Sequence, residues 1–122
     1  MLDNQSHLEF GKNLKEIILN TDKRIAVIAS GDLSHCLTEN APVKFNPAGK
    51  KFDENLIELL KNGDSQGVVN IDKKLIENAA ECGLKSIIIL LGVLNNINFK
   101  TKIINYEAPF GVGYLVANME LE

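Results

Sequence analysis

The sequence predicts an α/β layered fold, and three observations carry that prediction. A helical pattern over residues 4–20 is followed after a short polar turn by Arg24 to Ala29, a continuous apolar run with the β-branched residues of a buried strand. Helical segments then follow one another from Asp53 to Leu94. Two strand-like runs close the chain, Phe99 to Tyr106 and Val112 to Ala117, joined by a segment rich in breakers. Helix and strand signals this close together in one chain point to layers sharing a core.

Composition bounds what such a domain can do. The 122 residues carry 13 Lys and Arg against 16 Asp and Glu, a formal charge of −3, which excludes the basic stripe that nucleic acid requires. With 45% hydrophobic and 24% charged residues the chain is an ordinary globular one and not a disordered one. No apolar run reaches the ~18–20 residues of a membrane-spanning helix, and the first residues lack the apolar stretch of a signal peptide. Cys36 and Cys82 are too few for a disulfide framework. The expectation is a domain of a reducing, cytoplasmic compartment, with no nucleic acid or membrane among its partners.

Asp3, Asn4 and Ser6 are suitable N-cap residues, and Ser6 with Glu9 has the capping-box spacing. Phe10, Leu14, Ile17 and Ile18 form the apolar stripe of the first helix. The run from Arg24 stops abruptly at Ser30-Gly31-Asp32. Residues 36–51, with Pro42, Pro47 and Gly49, read as a long loop. Asp53 reads as the cap of a second helix carrying Leu56, Ile57, Leu59 and Leu60, which ends at Asn62-Gly63. Asp64 opens a single turn through Val69, and Asp72 caps a helix that runs to Gly83. Leu84 to Leu94 contains Ile87-Ile88-Ile89, which would suit a strand, but its length favours a buried helix. The terminal Leu121-Glu122 resembles residues left by a cloning site. The domain is therefore drawn as residues 1–119, with 120–122 as a tail.

Three segments hold residues capable of chemistry. Ser30-Gly31-Asp32-Leu33-Ser34-His35 follows a predicted strand directly, where ligands bind in open α/β sheets. A turn would bring Asp32 and His35 to one cavity, with the imidazole as general acid or base and the carboxylate orienting it. The plainer reading is a capped turn with His35 as a satisfied loop residue. Glu81-Cys82-Gly83 offers a hard and a soft metal ligand side by side, although a surface Glu next to a buried Cys is the commoner meaning of such a pair. In Glu107 to Tyr114 the two glycines are a tight entry into a strand, with Phe110 or Tyr114 lining a pocket or packing in the core. His7 reads as a solvated helix residue and Cys36 as packing.

Taken in order, Ile28-Ala29-Ser30-Gly31-Asp32-Leu33-Ser34-His35, Asn78 to Ser86 and Tyr106 to Tyr114 form a specific set. The chain resembles the C-terminal half of a LigB-like domain of the class III extradiol ring-cleavage dioxygenases, in the branch of the AmmeMemoRadiSam system proteins and their Memo relatives. The resemblance spans about residues 1–119. It implies an αβα-layered domain on a mixed sheet with a mononuclear non-haem site, in which Fe(II) opens an aromatic ring with dioxygen. It gives His35 the acid–base role, with Asp32 as an acidic site residue; Ser34, Phe110 and Tyr114 are expected at the substrate pocket. The third metal ligand falls at Glu81 or Cys82. Two ligand histidines of the family have no match among His7 and His35, so the chain is expected to be part of a domain, inactive and without iron by itself. The parent would act on a small aromatic substrate with dioxygen. A Memo-like, non-catalytic binding role is the alternative. Unpaired strand edges lead to the further expectation of a homo-oligomer that covers Arg24 to Ala29 or a neighbouring strand.

Overall fold

A computed structural model describes residues 2–122. The chain is α/β, with five helices packed together and one antiparallel pair of strands among the described residues. Asp3 begins helix α1 (Asn4–Leu19) by accepting the Ser6 N–H at 2.8 Å. Ser6 thus lies inside the first turn, and Asp3 takes the capping role expected of a Ser6–Glu9 box. The packed face of α1 also differs from the expected one. Leu8 and Gly11 are buried, whereas Phe10 and Ile17 are exposed. Backbone proximity decides this: a Cβ on Gly11 would stand 2.8 Å from the Gly92 Cα, so α1 crosses α5 (Leu84–Val93) at a glycine pair. Larger residues there would hold the helices apart.

Arg24 to Ala29 forms neither helix nor strand and is largely exposed, with Ile25 at 49% and Ile28 at 85%. The expected buried strand is therefore not formed among the described residues. An apolar run predicts that a segment can be buried, whereas pairing needs a neighbouring strand. The only strands among the described residues pair with each other. This segment forms one bank of an apolar groove of about 650 Å³ whose lining includes Val27, Leu90, Leu115 and Met119.

Helix α2 (Ala48–Lys61) begins five residues before Asp53, so the expected loop shrinks to residues 36–47. Asn46 makes the start, its Oδ1 accepting the Ala48 N–H at 2.9 Å, and Pro47 enters with φ −61°. Asp53 sits instead within the helix and faces inward, fully buried. Asp64 and Asp72 do cap α3 (Ser65–Val69) and α4 (Lys73–Ala79), accepting from Gly67 and Leu75 at 2.8 and 2.9 Å. Helix α4 stops before Gly83 because Ala80 adopts the left-handed conformation, φ 53°. The length argument for Leu84 to Leu94 is borne out by α5. Phe52, Leu56, Leu60, Val68, Ile88 and Leu91 form the centre of the core.

Strands β1 (Phe99–Glu107) and β2 (Tyr114–Leu121) run from Phe99 opposite Leu121 to Glu107 opposite Tyr114, with an irregularity between Ile103 and Asn105. Strand β2 starts at Tyr114 and not at Val112, because Gly111 and Gly113 use their backbone groups elsewhere. No helix among the described residues is long and apolar enough to cross a membrane.

Candidate functional site

The three motif segments, far apart in sequence, are hydrogen-bonded to one another. The connector from Asp32 to Leu37 lies between residues 79–83 on one side and 111–113 on the other. Toward the first, the Asp32 carbonyl accepts from Cys82 N–H at 3.3 Å and Gly83 N–H at 2.8 Å, and His35 N–H donates to Ala79 at 3.2 Å. Toward the second, Leu33 N–H donates to Gly113 at 2.8 Å, Gly113 N–H to Ser34 at 2.9 Å, and Leu37 N–H to Gly111 at 3.0 Å. Gly31 and Gly83 allow the close approach: a Cβ on Gly83 would lie 2.9 Å from the Asp32 carbonyl oxygen.

Asp32, His35 and Cys82 come together in this arrangement, with one ligand atom from each within 4.8 Å of the others. His35 Nε2 lies 3.6 Å from Asp32 Oδ2 and 4.0 Å from Cys82 Sγ. The Asp32 N–H points at the same sulfur at 3.1 Å. On the far side of the ring, Nδ1 contacts the carbonyl of Ala80, the residue whose left-handed turn ends α4. With Nδ1 donating there, a neutral imidazole presents the bare Nε2 lone pair to the cluster. The cluster is reachable from solvent: the His35 side chain is 21% and that of Asp32 43% exposed.

Glu81 turns away from the cluster. Its Oε2 accepts the Leu84 N–H at 2.6 Å and caps α5, and burial raises its carboxyl above the usual range. Of the two candidate ligands, Cys82 is the one that faces His35. Ser34 is fully buried with its hydroxyl bonded to Asp53 at 2.9 Å, so it is not exposed to a substrate. Phe110 is 72% exposed in the turn between the strands, and Tyr114 is half-exposed at the start of β2. Neither lines the apolar groove. Cys36 is buried with Sγ 3.3 Å from the Ala79 carbonyl, and burial pushes its thiol pKa up. His7 bonds the Asp3 carbonyl through Nδ1 at 2.7 Å, at the start of α1.

Sequence reasoning missed Asp53 and Tyr106. Asp53 accepts from Ser34 N–H at 2.9 Å and from the Tyr106 hydroxyl at 2.5 Å, in addition to the Ser34 hydroxyl. Burial raises its carboxyl above the ordinary carboxylate range, against the lowering effect of these donors. The Tyr106 phenol is likewise shifted up by burial and by the adjacent carboxylate. The residue at position 53 reads as a helix cap in sequence, and only folding turns it inward. The available signal was its position beside Phe52 and one turn from Leu56, on the apolar face of the same helix.

Over residues 1–117 the chain matches the family described as "LigB: Catalytic LigB subunit of aromatic ring-opening dioxygenase", and it belongs to that family. It is also 47% identical over 111 residues to Protein CA_C1420 of Clostridium acetobutylicum. That alignment covers 91% of this chain and 24% of the relative, so the chain spans about a quarter of the length of the curated protein it matches.

Proposed function

We propose that this chain supplies the acid–base and thiolate side of a non-haem Fe(II) site in an extradiol dioxygenase-like oxidoreductase that opens a small aromatic ring with dioxygen. The observation that carries the reading is the convergence of Asp32, His35 and Cys82 within 4.8 Å in a LigB family chain. The Cys82 sulfur suits a divalent metal ion, and His35 Nε2, 4.0 Å from it, would stand beside a substrate bound to that ion. Bound iron would supply open coordination positions for the substrate and dioxygen. Cys82 would be the ligand from this chain, completed by groups from the longer protein. His35, held at Nδ1 by the Ala80 carbonyl, keeps Nε2 free to take a proton from a substrate hydroxyl. Asp32, 3.6 Å away, stabilises the imidazolium that forms. By itself the chain is proposed to be inactive.

One observation favours a second reading, a Memo-like metal-binding or protein-interaction domain without ring cleavage. The group facing His35 is the sulfur of Cys82, while the carboxylate of Glu81 is committed to α5. A soft thiolate donor suits other metals better than it suits ring-cleaving iron. The test is to load the longer protein with Fe(II) without oxygen, add a catechol, admit oxygen and follow ring-opened product. Product formation that is lost in His35→Ala supports the dioxygenase. Metal binding without product, weakened about tenfold or more in Cys82→Ser, supports the second reading. Absence of both would overturn the site.

A further inference from the structure

We propose that Asp53, together with Tyr106, is the positioning residue of this site, a buried strut that sets the His35 imidazole through Ser34. The inference rests on reading Asp32, His35 and Cys82 as the functional cluster. Its geometry is separate from theirs.

Asp53 is a fully buried carboxyl whose described side-chain hydrogen bonds all come from neutral groups, an expensive arrangement that helix stability does not require. All of its described hydrogen bonds go to the site connector and to the strand behind it. Ser34 is bound at each of its polar groups: its N–H and Oγ donate to Asp53, and its carbonyl accepts from Gly113. The next residue is His35, whose own N–H donates to Ala79 and whose carbonyl accepts from Val43 N–H at 3.1 Å. The backbone on either side of the imidazole is thus pinned, and the ring so held meets both Ala80 and Cys82. Tyr106 joins the same carboxylate from β1. Gly113 completes the fit, because a Cβ there would collide with Asp53 Oδ2 and come within 3.0 Å of the Leu33 Cβ. Helix α2, strand β1, the turn before β2 and the site connector therefore meet at one side chain. Such a support fixes a reacting group to the precision that catalysis or metal binding demands.

The experiment uses the 122-residue chain, whose two histidines make the imidazole NMR spectrum simple, with His7 on α1 as an internal reference. Asp53→Asn keeps the volume but puts an NH2 where a donor now points. Tyr106→Phe removes one donor and serves if Asp53→Asn does not fold. Leu60→Val, two turns further along α2, is the control for general loss of stability. In either test variant the His35 resonances are expected to shift while those of His7 stay. Amide exchange at Leu33 and His35 should accelerate about tenfold beyond the control. Unmoved His35 signals in a folded variant, or equal changes in Leu60→Val, would overturn the proposal. A Co(II) titration of the wild-type chain and variants separates it from the site reading. Weaker Co(II) binding in Asp53→Asn supports both. Shifted His35 signals with no Co(II) binding by any protein leave the strut standing and remove the metal site.

Discussion

Asp53 and Glu81 illustrate how burial changes the meaning of an acidic residue. Each has a carboxyl raised above its ordinary value, 3.8 and 4.5, and for each the largest cause is burial. The folded state then binds more protons than the unfolded state in the interval above the ordinary value. Stability from these groups is complete below that value and is lost as pH rises through the raised one. Urea unfolding midpoints taken from about pH 3.5 to about pH 7 should therefore fall less steeply in Asp53→Asn than in the wild-type chain. An equal or steeper fall in the variant would contradict the buried-carboxylate account. Ala80 makes a second residue-scale case. Its φ of 53° costs a non-glycine residue about 1 kcal/mol, and its carbonyl meets His35. Ala80→Gly should raise stability by about 0.5–1 kcal/mol, read from the urea midpoint. A loss would mean that the left-handed turn is not the strained element.

At the scale of elements, the α1–α5 crossing depends on two small residues. A Cβ on Gly92 would stand 2.8 Å from the Gly11 Cα, the counterpart of the approach made by Gly11. Alanine is the better helix former by up to about 1 kcal/mol, yet forced separation of packed backbones costs about 1–3 kcal/mol. Gly11→Ala should lose about 1–2 kcal/mol net in chemical denaturation, because the contact is with main chain and cannot be relieved by a rotamer change. A neutral result would show that the helices can part freely. The connector from Asp32 to Leu37 behaves as an element of its own, bonded on both sides although it is not part of the β1–β2 ladder. Its bonds to Gly113 take that residue out of the strand predicted from Val112.

For the whole molecule, the exposed edge is the dominant feature. Ile25 and Ile28 on the unpaired segment, and Val116 and Leu121 on β2, leave apolar surface at the groove open to water. Unsatisfied strand edges and contiguous apolar patches promote association. Sedimentation of the 122-residue chain should give a dimer or larger species whose population grows with concentration, and Ile28→Lys should reduce it. A clean monomer at high concentration would contradict this. Much of the architecture was legible beforehand. Local chemistry at Asp64 and Asp72 marks real caps, and the length of Leu84 to Val93 identifies a helix despite its β-branched run. The three motif segments also carried the family.

By itself, then, the sequence determined the α/β class, most helix identities and the membership of Asp32, His35 and Cys82 in the motifs. Those follow from periodicity, capping and residue type, which act over a few neighbours. Only the tertiary structure decided that Cys82 faces His35 while Glu81 caps α5, that Asp53 turns inward to hold Ser34, and that Arg24 to Ala29 joins no sheet among the described residues. These depend on contacts between residues tens of positions apart. One step along the backbone changes which way a side chain points, and sequence spacing does not resolve that step.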